Sequence, residues 1–184
     1  MDKFGRTDWK NYNMACAMLA TSRSIDPRTK HGCYIVEKSN KPLTMGYNGP
    51  IRGIDDDKFN LEPPFKYFEI VHAEINAICN YNGSLEGATV YLSGWPCSSC
   101  LKSLIQKGIS KIIYGPIGSV RLGSDENELK ACKKMIECSG IEVVEFDGNF
   151  WEPFLIMIKY LKTKGLTPSK ELMEYFDEQI KNNK

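Results

Sequence analysis

Between residues 73 and 146 the chain alternates short apolar runs with longer stretches of helical period, and this alternation restricts the fold more than any other feature. Residues 89–92, 109–114 and 141–146 read as strands, the last carrying Val143 and Val144, while 73–81, 97–107 and 126–138 read as helices. Strands linked through helices of this length favour parallel neighbours in a layered α/β domain. Upstream, 33–36 and 43–47 are separated by the turn-like Ser39-Asn40-Lys41-Pro42, which predicts an antiparallel hairpin and therefore a mixed sheet.

The flanks add helices. Trp9, Tyr12, Cys16 and Leu19 recur at helical spacing and predict a helix over 9–22, ended by Ser24, Asp26 and Pro27. Near the C-terminus Phe154, Ile158 and Leu161 stripe a helix over 153–161. A second helix follows Thr167-Pro168, with Leu172, Tyr175, Phe176 and Ile180 on one face. The outer faces of both mix charge signs, so the stripes are expected to pack on the body or on another subunit. Residues 1–150 are thus expected to form one domain, and 151–184 a helical extension packed on it or on an adjacent subunit. From 46 to 68 the chain is loop-like, with Asn48-Gly49-Pro50, Asp55-Asp56-Asp57 and Pro63-Pro64. A loop of this length is expected to line a site, contact a partner or stand as a surface insertion.

Charge narrows the function. Lys plus Arg number 24 against 23 Asp plus Glu, a net charge of +1, so no basic excess is available to track a nucleic-acid backbone. A local basic pocket for one phosphate remains compatible with that balance. Seven cysteines in 184 residues, an odd count, do not resemble a disulfide framework. With no secretory apolar stretch at the start and no run near the roughly 20 residues that span a bilayer, a cytoplasmic or other reducing intracellular location is expected.

Two short motifs carry chemistry. One is His72-Ala73-Glu74; the other is Pro96-Cys97-Ser98-Ser99-Cys100. Zinc takes nitrogen and thiolate ligands tetrahedrally, and three protein ligands leave the fourth position for water. Cys97 and Cys100 are three apart at a helix start, where both thiols can turn to one ion and the backbone N–H groups favour thiolate. Pro96 precedes that helix without costing it a hydrogen bond. His72 and Glu74 are two apart, off a common helix face, so they flank the ion only if the helix end points at it. A bare Cys-x-x-Cys is equally a redox dithiol or half a structural zinc site, and a lone His is equally a capping or core residue. Cys132 and Cys138 lack ligand spacing; Cys16, Cys33 and Cys79 read as small core residues. His31, the other histidine, reads as structural or pocket-lining.

The combined pattern is the recognised signature of zinc deaminases, so the assignment is by resemblance. The chain resembles the cytidine and deoxycytidylate deaminase superfamily, and within it the deoxycytidylate (dCMP) deaminases, from about residue 9 to 146. Further matching segments are Ser24-Ile25-Asp26-Pro27, Lys30-His31-Gly32-Cys33, Gly46-Tyr47-Asn48-Gly49, Arg52-Gly53, the run from His72 through Ile78, and Gln106-Lys107-Gly108-Ile109. The resemblance implies a three-layer α-β-α sandwich around a mixed five-stranded sheet, assembled as a homo-oligomer, with a hexamer favoured. It implies hydrolysis of dCMP, or of a 5-substituted dCMP, to dUMP and ammonia. His72, Cys97 and Cys100 would hold one catalytic Zn²⁺ per subunit, and Glu74 would shuttle protons between the activated water, N3 and the leaving amine. Asn48 would contact the deoxyribose, and the Ala73 backbone the base edge. Arg28, Lys30 and Arg52 are the basic candidates for the 5′-phosphate, each equally readable as surface charge. Regulation by dCTP and dTTP occurs in some members and has no independent support in these residues.

Three departures stand out. Gly94-Trp95 precedes Pro96, so Trp95 is expected to reshape the base pocket or stack on the pyrimidine. Gly115-Pro116-Ile117-Gly118-Ser119 lacks the aromatic often found there, leaving Trp95 as a substitute. Residues 51–71 contain no Cys or His, so a second, structural zinc is not expected. Other readings are a deaminase of another cytosine nucleoside or nucleotide, a deaminase of tRNA adenosine, and a non-catalytic zinc-binding structural or interaction protein. The balanced charge and the Asn48 segment weigh against tRNA, and Glu74 weighs against a non-catalytic module.

Overall fold

A computed structural model describes residues 3–117, 126–166 and 168–182, with the backbone alone at 176 and 179–182. In chain order the elements are α1 (Trp9–Ala20), β1 (Gly32–Val36), β2 (Pro42–Tyr47), β3 (Gly49–Pro50), α2 (Lys66–Glu69), β4 (Ile70–Val71), α3 (Ala73–Cys79), β5 (Thr89–Leu92), α4 (Ser98–Gln106), β6 (Lys111–Tyr114), α5 (Glu126–Ser139), β7 (Glu142–Glu145), α6 (Glu152–Thr163) and α7 (Lys170–Asn182). Five strands form one sheet in the order β2-β1-β5-β6-β7; β3 and β4 pair separately. β1 runs antiparallel to β2 and β5, whereas β5, β6 and β7 are parallel, as the helical connections require.

Side-chain alternation builds two cores. Ile35, Val90, Ile112 and Val143 form one cross-strand row, and Tyr34, Tyr91, Ile113 and Val144 the next. The first row packs with α3, α4 and α5 through residues such as Ala77, Leu101, Leu104 and Cys132. The second packs with α1 through Met14 and Ala17, backed by Phe146 and Phe150. The result is the expected three-layer arrangement, since a strand buried on both faces needs a helical cover on each. α6 rests on α1 and buries Ile158.

α1 inverts the sequence expectation. Its apolar stripe residues Trp9, Tyr12 and Leu19 are exposed, while Asn11, Asn13, Met14, Ala15, Ala17 and Ala20 are buried. The cause is a close approach: a Cβ on Gly32 of β1 would lie 2.0 Å from the Ala17 carbonyl oxygen. Only small side chains fit a helix that near a sheet, so bulk is turned outward. The helix also stops at Ala20, with 21–23 forming a separate 3-10 turn. Cys33 and Cys132 are buried as small apolar residues, Cys16 is half-buried, but Cys79 and Cys138 are exposed. On α7, Leu172 and Tyr175 are about half exposed; the expected partners Phe176 and Ile180 lie outside the described side chains. The loop-like 46–68 stretch contains β3 and the start of α2, and it buries Phe59 and Lys66.

Candidate active site

Two helix starts converge. His72 is the N-cap of α3 and Cys97 the N-cap of α4, both in extended backbone conformation, and neither side chain makes a capping hydrogen bond. Their carbonyls accept the first helical bonds from Asn76 N–H and Leu101 N–H, both at 2.9 Å. This leaves the imidazole and thiol to face a common point. His72 Nδ1 lies 3.5 Å from Cys97 Sγ and 3.3 Å from Cys100 Sγ. Tetrahedral zinc with Zn–N near 2.05 Å and Zn–S near 2.3 Å would separate such atoms by about 3.6 Å. The three donors lie within 4.8 Å of one another and so fit one such ion.

Close packing fixes α3 over the sheet. A Cβ on Gly46 of β2 would come 2.2 Å from the Ala73 carbonyl oxygen and 2.4 Å from the Ala77 nitrogen. Asn76 Nδ2 donates to the Tyr47 carbonyl at 2.7 Å, and Thr44 Oγ1 to the Ala77 carbonyl at 2.9 Å. At α4, the Ser98 N–H donates to Glu128 Oε1 at 2.9 Å, so α5 caps the helix that carries the cysteines.

The thiols share a proton unequally. A hydrogen bond from Cys100, assisted by His72 against the opposing effect of burial, lowers the Cys97 pKa to about 4. The same bond, with burial and the nearby Glu74 charge, pushes Cys100 well up. A divalent cation would displace the remaining proton, as thiolate ligation does generally. Glu74 is buried beside this group, and burial raises its carboxyl pKa despite backbone and His72 contributions that lower it. A carboxyl raised in this way is suited to taking up and returning a proton.

The family described as "Cytidine and deoxycytidylate deaminase zinc-binding region" matches residues 7–116. Deoxycytidylate deaminase from Homo sapiens is 32% identical over 148 residues, 76% of this chain and 80% of that one. A protein from Drosophila melanogaster named "Probable deoxycytidylate deaminase" is 37% identical over 146 residues, 73% and 70% of the two chains. The crystal structure of dCMP deaminase from the cyanophage S-TIM5 in complex with dCMP and dUMP aligns with TM-score 0.55 at 25% identity, covering 72% of this chain and 92% of that one. The chain belongs to the cytidine and deoxycytidylate deaminase family.

In this family member a cavity of about 450 Å³ opens onto His72, Glu74 and Cys97. Ala73, Trp95, Asn48 and His31 also line it. Trp95 meets Tyr114 edge-on, with ring centroids 4.9 Å apart. The preceding glycine is required there, since a Cβ on Gly94 would lie 1.7 Å from the Ile117 carbonyl oxygen. Residues 118–119 of the segment read as lacking an aromatic fall outside the described residues. Asn48 is buried and holds the 29–31 turn: Oδ1 accepts from His31 N–H at 2.7 Å and Nδ2 donates to the Thr29 carbonyl at 2.9 Å. Each of its polar atoms has capacity for one further bond. His31 Nδ1 sits 3.2 Å from Ser93 Oγ, and Gly32 N–H donates to that same oxygen at 3.0 Å.

The three basic residues singled out from sequence are not brought into the cavity. Arg28 pairs with Glu62 at 3.3 Å and is largely exposed. Lys30 Nζ donates to the Ser24 carbonyl at 2.7 Å, and Arg52 donates to Asn80 Oδ1 at 2.7 Å. Sequence reasoning missed Asp26 and Lys66, which line the cavity as a buried ion pair 2.9 Å apart. Asp26 was visible as a helix breaker and within the family-like Ser24-Ile25-Asp26-Pro27 segment, and Lys66 was not singled out within the long loop. No local pattern pairs residues 40 positions apart.

Among the described residues, no helix is long and apolar enough to cross a membrane.

Proposed function

We propose that this deaminase hydrolyses dCMP to dUMP and ammonia. His72, Cys97 and Cys100 would hold one Zn²⁺ per chain, and the observation that carries the reading is their convergence beside the buried Glu74. Bound zinc would lower the pKa of a water molecule from 15.7 toward about 7 and make it a nucleophile at neutral pH. Glu74 takes a proton from the attacking water and delivers it to N3, then carries the second proton of that water from the oxygen now bonded to C4 to the amine, which departs as ammonia and leaves the C4 carbonyl. The Ala73 backbone meets the base edge, Asn48 directs its remaining amide capacity to the deoxyribose, and the Trp95 ring forms the wall beside the base.

Cavity size supports a free nucleotide over a polymer. A cavity of about 450 Å³ suits a small molecule, whereas a flipped base needs an open channel with contacts to flanking phosphates. The human and cyanophage relatives, named for deoxycytidylate and dCMP, favour the same substrate for this chain. A 5-substituted dCMP remains within the reading through Trp95.

Residues 1–150 would then be the deaminase domain and 151–184 a helical extension, α6 being seated on α1. A homo-oligomer, a hexamer by family resemblance, would cover exposed aromatics such as Phe65, Phe68 and Tyr160. A reducing interior would keep Cys97 and Cys100 available as ligands.

A steady-state screen over CMP, dCMP, dCTP, deoxycytidine and 5-substituted dCMPs, with metal analysis of the same sample, tests this. The expected outcome is highest kcat/KM on dCMP, about one zinc per chain, and loss of turnover after chelation with recovery on zinc addition. Zinc-loaded protein inert toward every cytosine substrate would overturn it.

A further inference from the structure

We propose that Lys66 binds the 5′-phosphate of the substrate and that Asp26 is its positioning residue; the inference rests on the nucleotide reading above. A phosphomonoester carries close to two negative charges at neutral pH and calls for a cation inside the cavity. Arg28, Lys30 and Arg52 are engaged elsewhere, with Glu62, the Ser24 carbonyl and Asn80. Among the described residues lining the cavity, Lys66 is the only lysine or arginine.

Lys66 is also placed at a cost that a surface charge would avoid. Its side chain is 5% exposed and that of Asp26 is 3%. A buried pair recovers little or no net stability relative to apolar packing, so retention of the charges points to a use for them. Asp26 is held by its surroundings: Oδ1 accepts from Arg28 N–H at 2.9 Å and Thr29 N–H at 3.1 Å, and Oδ2 accepts from Lys66 Nζ at 2.9 Å. The ammonium has three donors. One is held by Asp26, and Nζ stands 5.5 Å from the centroid of the Tyr67 ring, which leaves donor capacity toward the cavity.

The surroundings match a nucleotide's order of parts. Asp26 anchors the start of the turn whose Thr29 and His31 backbone groups are held by Asn48, the proposed sugar contact. Lys66 opens α2, and four residues later β4 leads directly into His72. Asn48 and Lys66 thus meet the same 26–31 turn from two other segments, and the chain from Lys66 runs through β4 into the metal-bearing helix α3. Asp26 limits the freedom of Lys66, while Lys66 supplies the contact that a nucleoside lacks.

Two variants test this: Lys66→Gln, which keeps a polar partner for Asp26, and the double change Asp26→Asn with Lys66→Met, which leaves no unpaired charge. For each, kcat/KM is measured on dCMP and on deoxycytidine, and dCMP affinity is measured calorimetrically in a Glu74→Gln background. Loss of a charged hydrogen bond predicts a fall of about 10- to 100-fold in the dCMP-to-deoxycytidine ratio, carried by KM, with matching weakening of dCMP binding. An unchanged ratio and affinity, or equal losses on both substrates, would overturn the inference and reduce the pair to a strut for the turn. Wild-type protein that turns over dCMP while the variants keep its preference defeats this inference alone; wild-type protein inert toward both substrates defeats the nucleotide reading with it.

Discussion

The two ends of the cavity are built in different ways. At the metal end, His72, Glu74, Cys97 and Cys100 come from two helix starts, and each motif spans at most four residues. At the other end, Asp26, Asn48 and Lys66 come from three separate segments and meet only through tertiary contacts. The first end depends on local geometry: an N-cap residue and its first turn lie together at the end of a helix, and here the ends of α3 and α4 point at a common spot. The second depends on how loops fold over the sheet. On the proposed function, reaction type is encoded locally, and substrate preference is encoded in segments that meet only in the folded domain.

The largest expected effect lies at the local end. Glu74→Gln removes a proton carrier but no metal donor, so kcat should fall about a thousandfold or more while zinc content stays at the wild-type level. Metal analysis beside turnover checks both halves. Loss of zinc in this variant would mean that the metal end is not complete with three protein ligands, and the contrast between the ends would weaken.

A smaller effect belongs to the distributed end and reads out as stability. Burial would raise the Asp26 pKa, but the Lys66 ammonium and the Arg28 and Thr29 N–H groups outweigh it and lower the value. A carboxylate held below its unfolded pKa of about 3.9 contributes fully above that pH. The contribution is lost as pH falls through the folded value. Asp26→Asn, which leaves Lys66 buried without its counter-charge, should cost about 3 kcal/mol near neutral pH. The gap in melting temperature to wild type should then narrow as pH drops below about 4. A gap independent of pH would mean that the pair is not ionised as drawn.

Legibility in the sequence divides along the same line. The strands expected at 33–36 and 89–92 follow from apolar runs between turn residues, and the structure places them at Gly32–Val36 and Thr89–Leu92. The strand expected from 109 begins at Lys111, because Ile109 is still accepting packing from α4 and its N–H bonds back to the Leu104 carbonyl. Metal-site geometry was readable because ligand spacing and helix caps act within a few residues. The outward Trp9, Tyr12 and Leu19 were not readable, since the decisive fact is the distance of α1 from Gly32, a residue of another element. Lys66 was hidden for the same reason: a charge in a loop looks solvated until the partner 40 residues earlier is known.

The smallest effect should come from the opposite face of the sheet, which serves as the control for both ends. Asn11 on α1 donates from Nδ2 to Glu152 Oε2 at 2.9 Å and accepts from Asn149 N–H at 2.9 Å. Thr7 Oγ1 donates to the same Glu152 oxygen at 2.5 Å. The cluster fastens the entry to α6 without touching the cavity. Asn11→Ala removes the bonds from Asn11 to Glu152 and Asn149, with Thr7 still on Glu152, and should cost about 1–2 kcal/mol, lowering the melting temperature by about 2–8 °C. KM for dCMP and zinc content should stay at wild-type values, because the row Tyr34, Tyr91, Ile113 and Val144 separates α1 from the cavity side of the sheet. A raised KM would show that loop placement at the Lys66 end depends on both helical layers, and that the distributed end of the cavity extends through the sheet.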